Sequence, residues 1–149
     1  MKVVAVVGKK KSGKTTLIEH LIPYLKEHGK VGCIKHTHEL DLDMPVARDT
    51  DRFFTAGAEM VTGVSPEKTL KIGGPRNLTD LIEEMANSGV DFLLLEGFKS
   101  SNLPKISLNE FSDQEVSNIK RRVDLRGDFK LPEATLKELV QLILSLEDY

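Results

Sequence analysis

Residues 8–15 read Gly8-Lys9-Lys10-Lys11-Ser12-Gly13-Lys14-Thr15 and fit the phosphate-binding pattern G-x-x-x-x-G-K-[ST] at every required position. The chemistry of such a loop is anion capture. Gly8 and Gly13 let the chain turn back, so that successive backbone N–H groups point inward at the positive end of the following helix. Lys14 then reaches β- and γ-phosphate oxygens, and Thr15 offers its hydroxyl to Mg²⁺. A Gly/Lys-rich exposed turn is the bland alternative, and the flanks argue against it. Lys2 to Val7 is a β-branched run suited to a buried strand, and Thr15 to Glu27 has helical spacing. A nucleoside triphosphate site is therefore expected.

Two further stretches carry chemistry. Asp91-Phe92-Leu93-Leu94-Leu95-Glu96 is an apolar strand that delivers a carboxylate, and beside a phosphate loop Glu96 can hold Mg²⁺ directly or through water. The other runs from Lys35 to Pro45 and contains His36, His38, Asp41 and Asp43. Extended, the two histidines share one face and the two aspartates another. A transition-metal site from His36, His38 and a carboxylate is conceivable. Metal sites usually need three or four ligands, however, and His20 and His28 fall on the first helix. The favoured reading is that these residues surround a phosphate, its Mg²⁺ or a phosphorylated ligand. Arg52 can clamp an anion or simply be a solvated helix arginine.

The elements that position these groups alternate. Strands are expected at Lys2–Val7 and Val31–Lys35, with a helix from Thr15 to His28 between them. A short helix around Asp49 to Ala56 leads into a meander, Glu59–Val64 and Thr69–Ile72, turned by Ser65-Pro66-Glu67-Lys68. A helix from Asn77 to Asn87, the strand to Glu96, weaker strands at Lys105–Leu108 and Ile119–Leu125, and a helix from Glu133 to Leu146 complete the chain. Alternation of this kind implies α/β architecture, a mainly parallel sheet between helices with ligands at the strand carboxyl ends, plus a small β-hairpin projection.

At 149 residues the chain suits a single domain over 1–149. With 21 basic and 23 acidic residues the net charge is −2, which gives no support for nucleic-acid binding. No signal peptide or membrane-crossing apolar run is evident, and the lone Cys33 is expected reduced and buried; a cytoplasmic protein is the default.

Taken together, Gly8 to Thr16, Ile34-Lys35-His36-Thr37-His38, Asp41-x-Asp43-x-Pro45, Asp49, Arg52, Ala56-Gly57-Ala58 and Leu95-Glu96-Gly97-Phe98-Lys99 resemble the molybdopterin-guanine dinucleotide biosynthesis protein B (MobB) family, over roughly the first 110 residues. Glu-Gly-Phe-Lys with Lys105-Ile106 soon after is the most specific piece. The resemblance implies a P-loop NTPase-type three-layer fold and a GTP-binding, homodimeric accessory protein. Its partner would be a separate nucleotidyltransferase that attaches GMP to molybdopterin. The resemblance carries the phosphate cradle onto Lys10, Ser12, Gly13, Lys14, Thr15 and Thr16, and site roles onto Lys35, His36, Asp41, Asp43, Glu96 and Lys99; Glu96 and Asp41 would be catalytic.

The chain departs from the family pattern. Pro45-Val46-Ala47-Arg48-Asp49-Thr50 stands where the family has Pro-Gly-Lys-Asp-Ser, so a flexible glycine is lost. No Asn-Lys-x-Asp guanine-reading motif occurs, so base preference comes from the resemblance alone. Lys10 and Lys11 replace the glycines of partition-type ATPase loops, which makes the match of Lys9 to their extra lysine coincidental. Three functions are compatible: a GTP-binding accessory protein with at most weak hydrolysis, a small-molecule kinase, or a non-catalytic nucleotide-dependent scaffold. Neither Gln114 nor Gln141 is an obvious water-positioning residue, and the six arginines form no lid-like cluster near a helical insertion, although Arg121-Arg122 leaves the kinase open. The hairpin residues Val61, Val64, Leu70 and Ile72 lack an assigned partner element, and a second copy could supply one; the alternative is that the hairpin joins the main sheet edge.

Overall fold

The computed structural model describes residues 1–37, 45–109, 111, 116–125 and 131–149, with 45–48 as backbone only. The elements run β1 (Lys2–Val7), α1 (Lys14–Lys26), β2 (Val31–Lys35), α2 (Pro45–Thr55), β3 (Met60–Val64), β4 (Thr69–Gly73), α3 (Leu78–Asn87), β5 (Phe92–Glu96), β6 (Lys105–Leu108), β7 (Ile119–Val123) and α4 (Glu133–Leu144). They divide into two compact units, one of residues 1–36 with 81–149 and one of 37–80.

The larger unit is built on a five-stranded sheet of order β2-β5-β1-β6-β7, parallel throughout. The strands buried on both faces are the continuous apolar runs. Val3 to Val7 of β1 and Phe92 to Leu95 of β5 are buried without alternation. Leu17, Ile18, Leu21 and Leu25 of α1 share one core with Leu136, Leu139, Val140 and Ile143 of α4 and with Val4, Val6, Ile106 and Leu108 of the sheet. The other face receives α3: Ile82 is buried, and Met85 and Val90 lie against Gly32, where a Cβ would come within 3.2 Å of both. Helix, sheet and helix thus make three layers. The late strand forms as Ile119–Val123, two residues shorter than expected, while Leu125 is buried beyond its end.

Cys33 departs from expectation. It is exposed, because β2 is an edge strand of the sheet. Packed neighbours still desolvate the thiol enough to push its pKa up.

In the smaller unit β3 and β4 pair antiparallel as a separate two-stranded sheet and do not extend the main one. The turn is tied by Ser65, whose N–H donates to the Lys68 carbonyl at 2.8 Å and whose Oγ accepts from the Lys68 N–H at 3.0 Å. The hairpin does have a partner element: α2 packs on both strands. Helix α2 begins at Pro45, four residues earlier than expected, with proline in the first turn where its missing N–H costs nothing. Val61, Leu70 and Ile72 alternate with exposed neighbours, whereas Val64 belongs to the outward set and is 74% exposed.

Candidate functional site

The sheet order decides which side chains meet. β1 is central; its crossover through α1 leads to β2 on one side, and β5 leads to β6 on the other, so the crevice opens beyond the carboxyl end of β1. Glu96, the last residue of β5, stands in register between Val6 of β1 and Lys35 of β2. Backbone bonds fix the level: the Gly97 N–H donates to the Val6 carbonyl and the His36 N–H to the Glu96 carbonyl, both at 3.0 Å.

Residues 8–13 leave β1 and return into α1. Gly13 sits at the helix N-cap with φ 90°, a left-handed conformation that costs glycine little, and no side chain caps the N-terminus. The first turn of α1 carries no acid, so its N–H groups and its dipole face the crevice unneutralised. Gly8 is required by proximity, since a Cβ there would lie 2.6 Å from Ser12 Oγ and 3.1 Å from Leu108 Cβ. That Ser12 hydroxyl is buried and finds no hydrogen-bond partner among the described residues. The Lys14 ammonium spans the loop and donates to the carbonyls of Gly8 at 3.2 Å and Lys9 at 2.8 Å. An orphan hydroxyl, free helix N–H groups and a lysine folded across them make a cradle for a polyanion.

Beside the cradle, Thr15 Oγ1 donates to Glu96 Oε2 at 2.8 Å. Magnesium ligands at about 2.0–2.1 Å in an octahedron stand about 2.9 Å apart along an edge, so this oxygen pair has the separation of two adjacent ligands. Phosphate oxygens and water would complete such a shell, which is how Mg²⁺ is usually held at these sites. Among the described residues no three His, Cys, Asp or Glu side chains converge on a point, and the donor set is one of hard oxygens. Lys35 Nζ lies 3.5 Å from the same Glu96 Oε2. Burial pulls Lys14 below the usual lysine range, Glu96 draws it back up, and the neighbouring Lys35 charge lowers it again.

The structure therefore brings together Gly8, Ser12, Gly13, Lys14, Thr15, Lys35 and Glu96. Lys10 is exposed on the outer part of the loop, and Thr16 is half-buried in the first turn of α1. His36 follows β2, its ring centroid 5.1 Å from that of Phe98. Lys99 is exposed just beyond Phe98. Asp41, Asp43 and His38 lie outside the described residues. Arg52 pairs with Asp49 at 3.5 Å on an exposed face of α2.

A family model described as molybdopterin guanine dinucleotide synthesis protein B matches residues 3–125. This chain belongs to that family. Among curated relatives, the molybdopterin-guanine dinucleotide biosynthesis adapter protein of Haemophilus influenzae is 34% identical over 124 residues, covering 80% of this chain and 67% of its own. A relative from Bacillus subtilis with the same adapter designation is 40% identical over 120 residues, 76% of this chain and 69% of its own. For one from Methanocaldococcus jannaschii the figures are 34% over 118 residues, 76% and 49%, so the chain spans about half the length of that relative. The crystal structure of Bacillus subtilis MobB superposes with a TM-score of 0.71 at 26% identity, covering 97% of each chain. A MobB homologue from Bacillus stearothermophilus, at 24% identity and a TM-score of 0.68, shares the fold.

The MobB match takes in the loop, Lys35, Glu96 and β6, and ends before α4. Two residues of this region had no structural role assigned from the sequence. Phe98 takes a left-handed backbone (φ 55°) directly after Gly97 (φ 93°), which turns the chain sharply once Glu96 is placed. Lys105, read as a strand residue and as part of the family signature but given no structural role, is fully buried with its ammonium donating to the carbonyls of Ser101, Leu103 and Ser117. It ties the segment after Lys99 to the approach of β7. The signal was a lysine at the head of a strand that carries Ile106 and Leu108, and a buried lysine is uncommon unless its ammonium has fixed acceptors.

Proposed function

We propose that this chain is a magnesium-dependent GTP-binding adapter that works, as a homodimer, beside a nucleotidyltransferase in converting molybdopterin to its guanine dinucleotide. The observation that carries the reading is the Thr15–Glu96 oxygen pair at 2.8 Å beside an uncapped helix N-terminus. Lys14, Ser12 and the N–H groups of α1 would hold the phosphates, and Thr15 and Glu96 the metal. Magnesium bound there would bridge and neutralise β- and γ-phosphate oxygens. Guanine preference rests on the family, as does the molybdopterin partner. Weak hydrolysis rests on the sequence reading, in which neither Gln114 nor Gln141 is an obvious water-positioning residue.

The adapter reading is favoured over a kinase by what the arginines do. Arg121 pairs with Glu138 at 2.9 Å and Arg122 donates to the Phe111 carbonyl at 3.0 Å, so both hold the β7 region in place. A homodimer is supported by Phe53, Met60 and Val64 of the smaller unit, exposed at 61%, 71% and 74%. The cytoplasm is the setting we propose, since an exposed unpaired thiol such as Cys33 persists in a reducing compartment.

Nucleotide turnover and guanylate transfer, measured with and without a molybdenum-cofactor nucleotidyltransferase and molybdopterin, test the function. Slow turnover alone and faster transfer in the full mixture are expected, with light scattering giving about twice the 16.6 kDa chain mass. Rapid turnover by a monomer without partner would overturn the reading. If ATP displaced a fluorescent guanine nucleotide as well as GTP does, only the guanine assignment would go.

A further inference from the structure

Glu96 Oε2 serves two partners at once. It accepts from Thr15 Oγ1 at 2.8 Å and faces Lys35 Nζ at 3.5 Å. The carboxylate is the fixed partner, with only 13% of its side chain exposed, whereas the Lys35 side chain is 57% exposed and can leave. Their pairing is set by the sheet, because β2 and β5 place Lys35 and Glu96 directly opposite one another.

We propose that Lys35 is a resident counter-cation for Glu96, which neutralises Oε2 in the nucleotide-free protein and competes with a divalent cation for that oxygen. The proposal rests on reading Thr15 and Glu96 as the metal pair. Two cations on one carboxylate oxygen repel at close range, so Lys35 must yield when metal binds. Yielding is easiest when a new anion is at hand. Lys35 stands directly opposite Glu96, whose Oε2 is bonded to Thr15 in the first turn of α1, so the Lys35 ammonium lies beside the helix N-terminus that would face the phosphates. A triphosphate in the cradle therefore offers Lys35 a second anion within reach, and metal without nucleotide does not. Lys35 thus makes tight metal binding conditional on nucleotide. A merely structural cross-strand pair would stabilise the sheet edge and leave metal affinity untouched.

The test is Mn²⁺ binding to nucleotide-free protein, followed by electron paramagnetic resonance, for wild type, Lys35→Met and Lys35→Arg. Lys35→Met should bind Mn²⁺ roughly threefold or more tightly than wild type, the scale that a partly exposed charge contact supports. Lys35→Arg, which keeps the charge, should stay near wild type. Because Lys35 is exposed, Lys35→Met should fold, and Lys35→Gln gives the same neutralisation with a polar side chain. Unchanged or weaker Mn²⁺ binding in the neutral variants, or equal tightening in Lys35→Arg, overturns the proposal. Failure of wild type to bind fluorescent GTP in Mg²⁺ would instead overturn the nucleotide-site reading beneath it.

Discussion

Glu96→Gln separates a metal-holding carboxylate from a structural one, because the two roles predict opposite patterns. Glutamine keeps the volume and an oxygen that can accept from Thr15, but removes the charge that faces Lys35 at 3.5 Å. The stability change should be small. Lys35 and the Thr15 hydroxyl are both largely in water, so each contact contributes about 0.5–1 kcal/mol at most. Part of that is offset, since a largely buried charge no longer has to be desolvated. A net loss within about 1 kcal/mol is expected from denaturant unfolding. Nucleotide binding should split by condition. In EDTA, the variant should bind GTP as well as wild type or better, because one negative charge facing the phosphates is gone. In Mg²⁺ it should lose about 10- to 100-fold, the range seen even when an outer-shell metal partner is removed; this corresponds to about 1.4–2.7 kcal/mol. Calorimetry in the two buffers gives the ratio directly. A ratio equal to that of wild type, or an equal loss in both buffers together with unfolding at much lower denaturant, would refute the metal role.

Three other substitutions probe the loop and its supports. Lys14→Ala removes the ammonium from the cradle, and GTP affinity by calorimetry should fall tenfold or more, about 1.4 kcal/mol, in a protein that remains folded. Lys11 is a non-glycine residue at φ 60°, a conformation that costs about 1–2 kcal/mol. Lys11→Gly should therefore raise the thermal midpoint or leave it unchanged, after about 0.4–1 kcal/mol is lost to the looser unfolded chain. Lys105→Met leaves the Ser101, Leu103 and Ser117 carbonyls without their shared donor and should lower stability by about 2–4 kcal/mol. Burial holds the Lys105 pKa below the ordinary lysine value. Between the lowered folded pKa and the ordinary unfolded one the unfolded chain binds more protons, so wild-type stability relative to Lys105→Met should rise with pH through that alkaline window and be lowest below it. Denaturant midpoints of both proteins at neutral and alkaline pH measure the difference.

How much of this was legible in the sequence follows from how far apart the partners lie along the chain. The loop was readable because its chemistry is contiguous: Gly8 to Thr15 carry both the turn and the cationic group. β1 and β5 were readable because a strand buried on both faces must be apolar at every position. The Lys35–Glu96 pair was not, since two residues 61 positions apart meet only through the order β2-β5-β1. The same order explains Cys33, because an apolar segment does not announce that it will be an edge. The element covering the hairpin was hidden for another reason. Among the described side chains of α2, the packed ones are Thr50, which is buried, and Phe54, which is half-buried, a stripe too sparse to announce itself in the sequence.

The residues whose backbone defies local preference point the same way. Asn109 and Asn118 take positive φ, which asparagine tolerates well, and their side chains bond nearby backbone, Asn109 Oδ1 accepting from the Leu125 N–H at 2.8 Å. Lys11 and Phe98 have no such licence. Lys11 lies inside the phosphate loop and Phe98 two residues beyond Glu96, so the two strained side-chain-bearing positions bracket the strand ends where the charges converge. Strain of this kind persists only where surrounding structure over-determines it. At Phe98 that structure is visible: Gly97 is bonded back to Val6, and the Phe98 ring lies against His36. The chain after Glu96 is thus held in a costly turn by contacts to β1 and to the residue after β2, the two strands whose ends present the phosphate loop and Lys35.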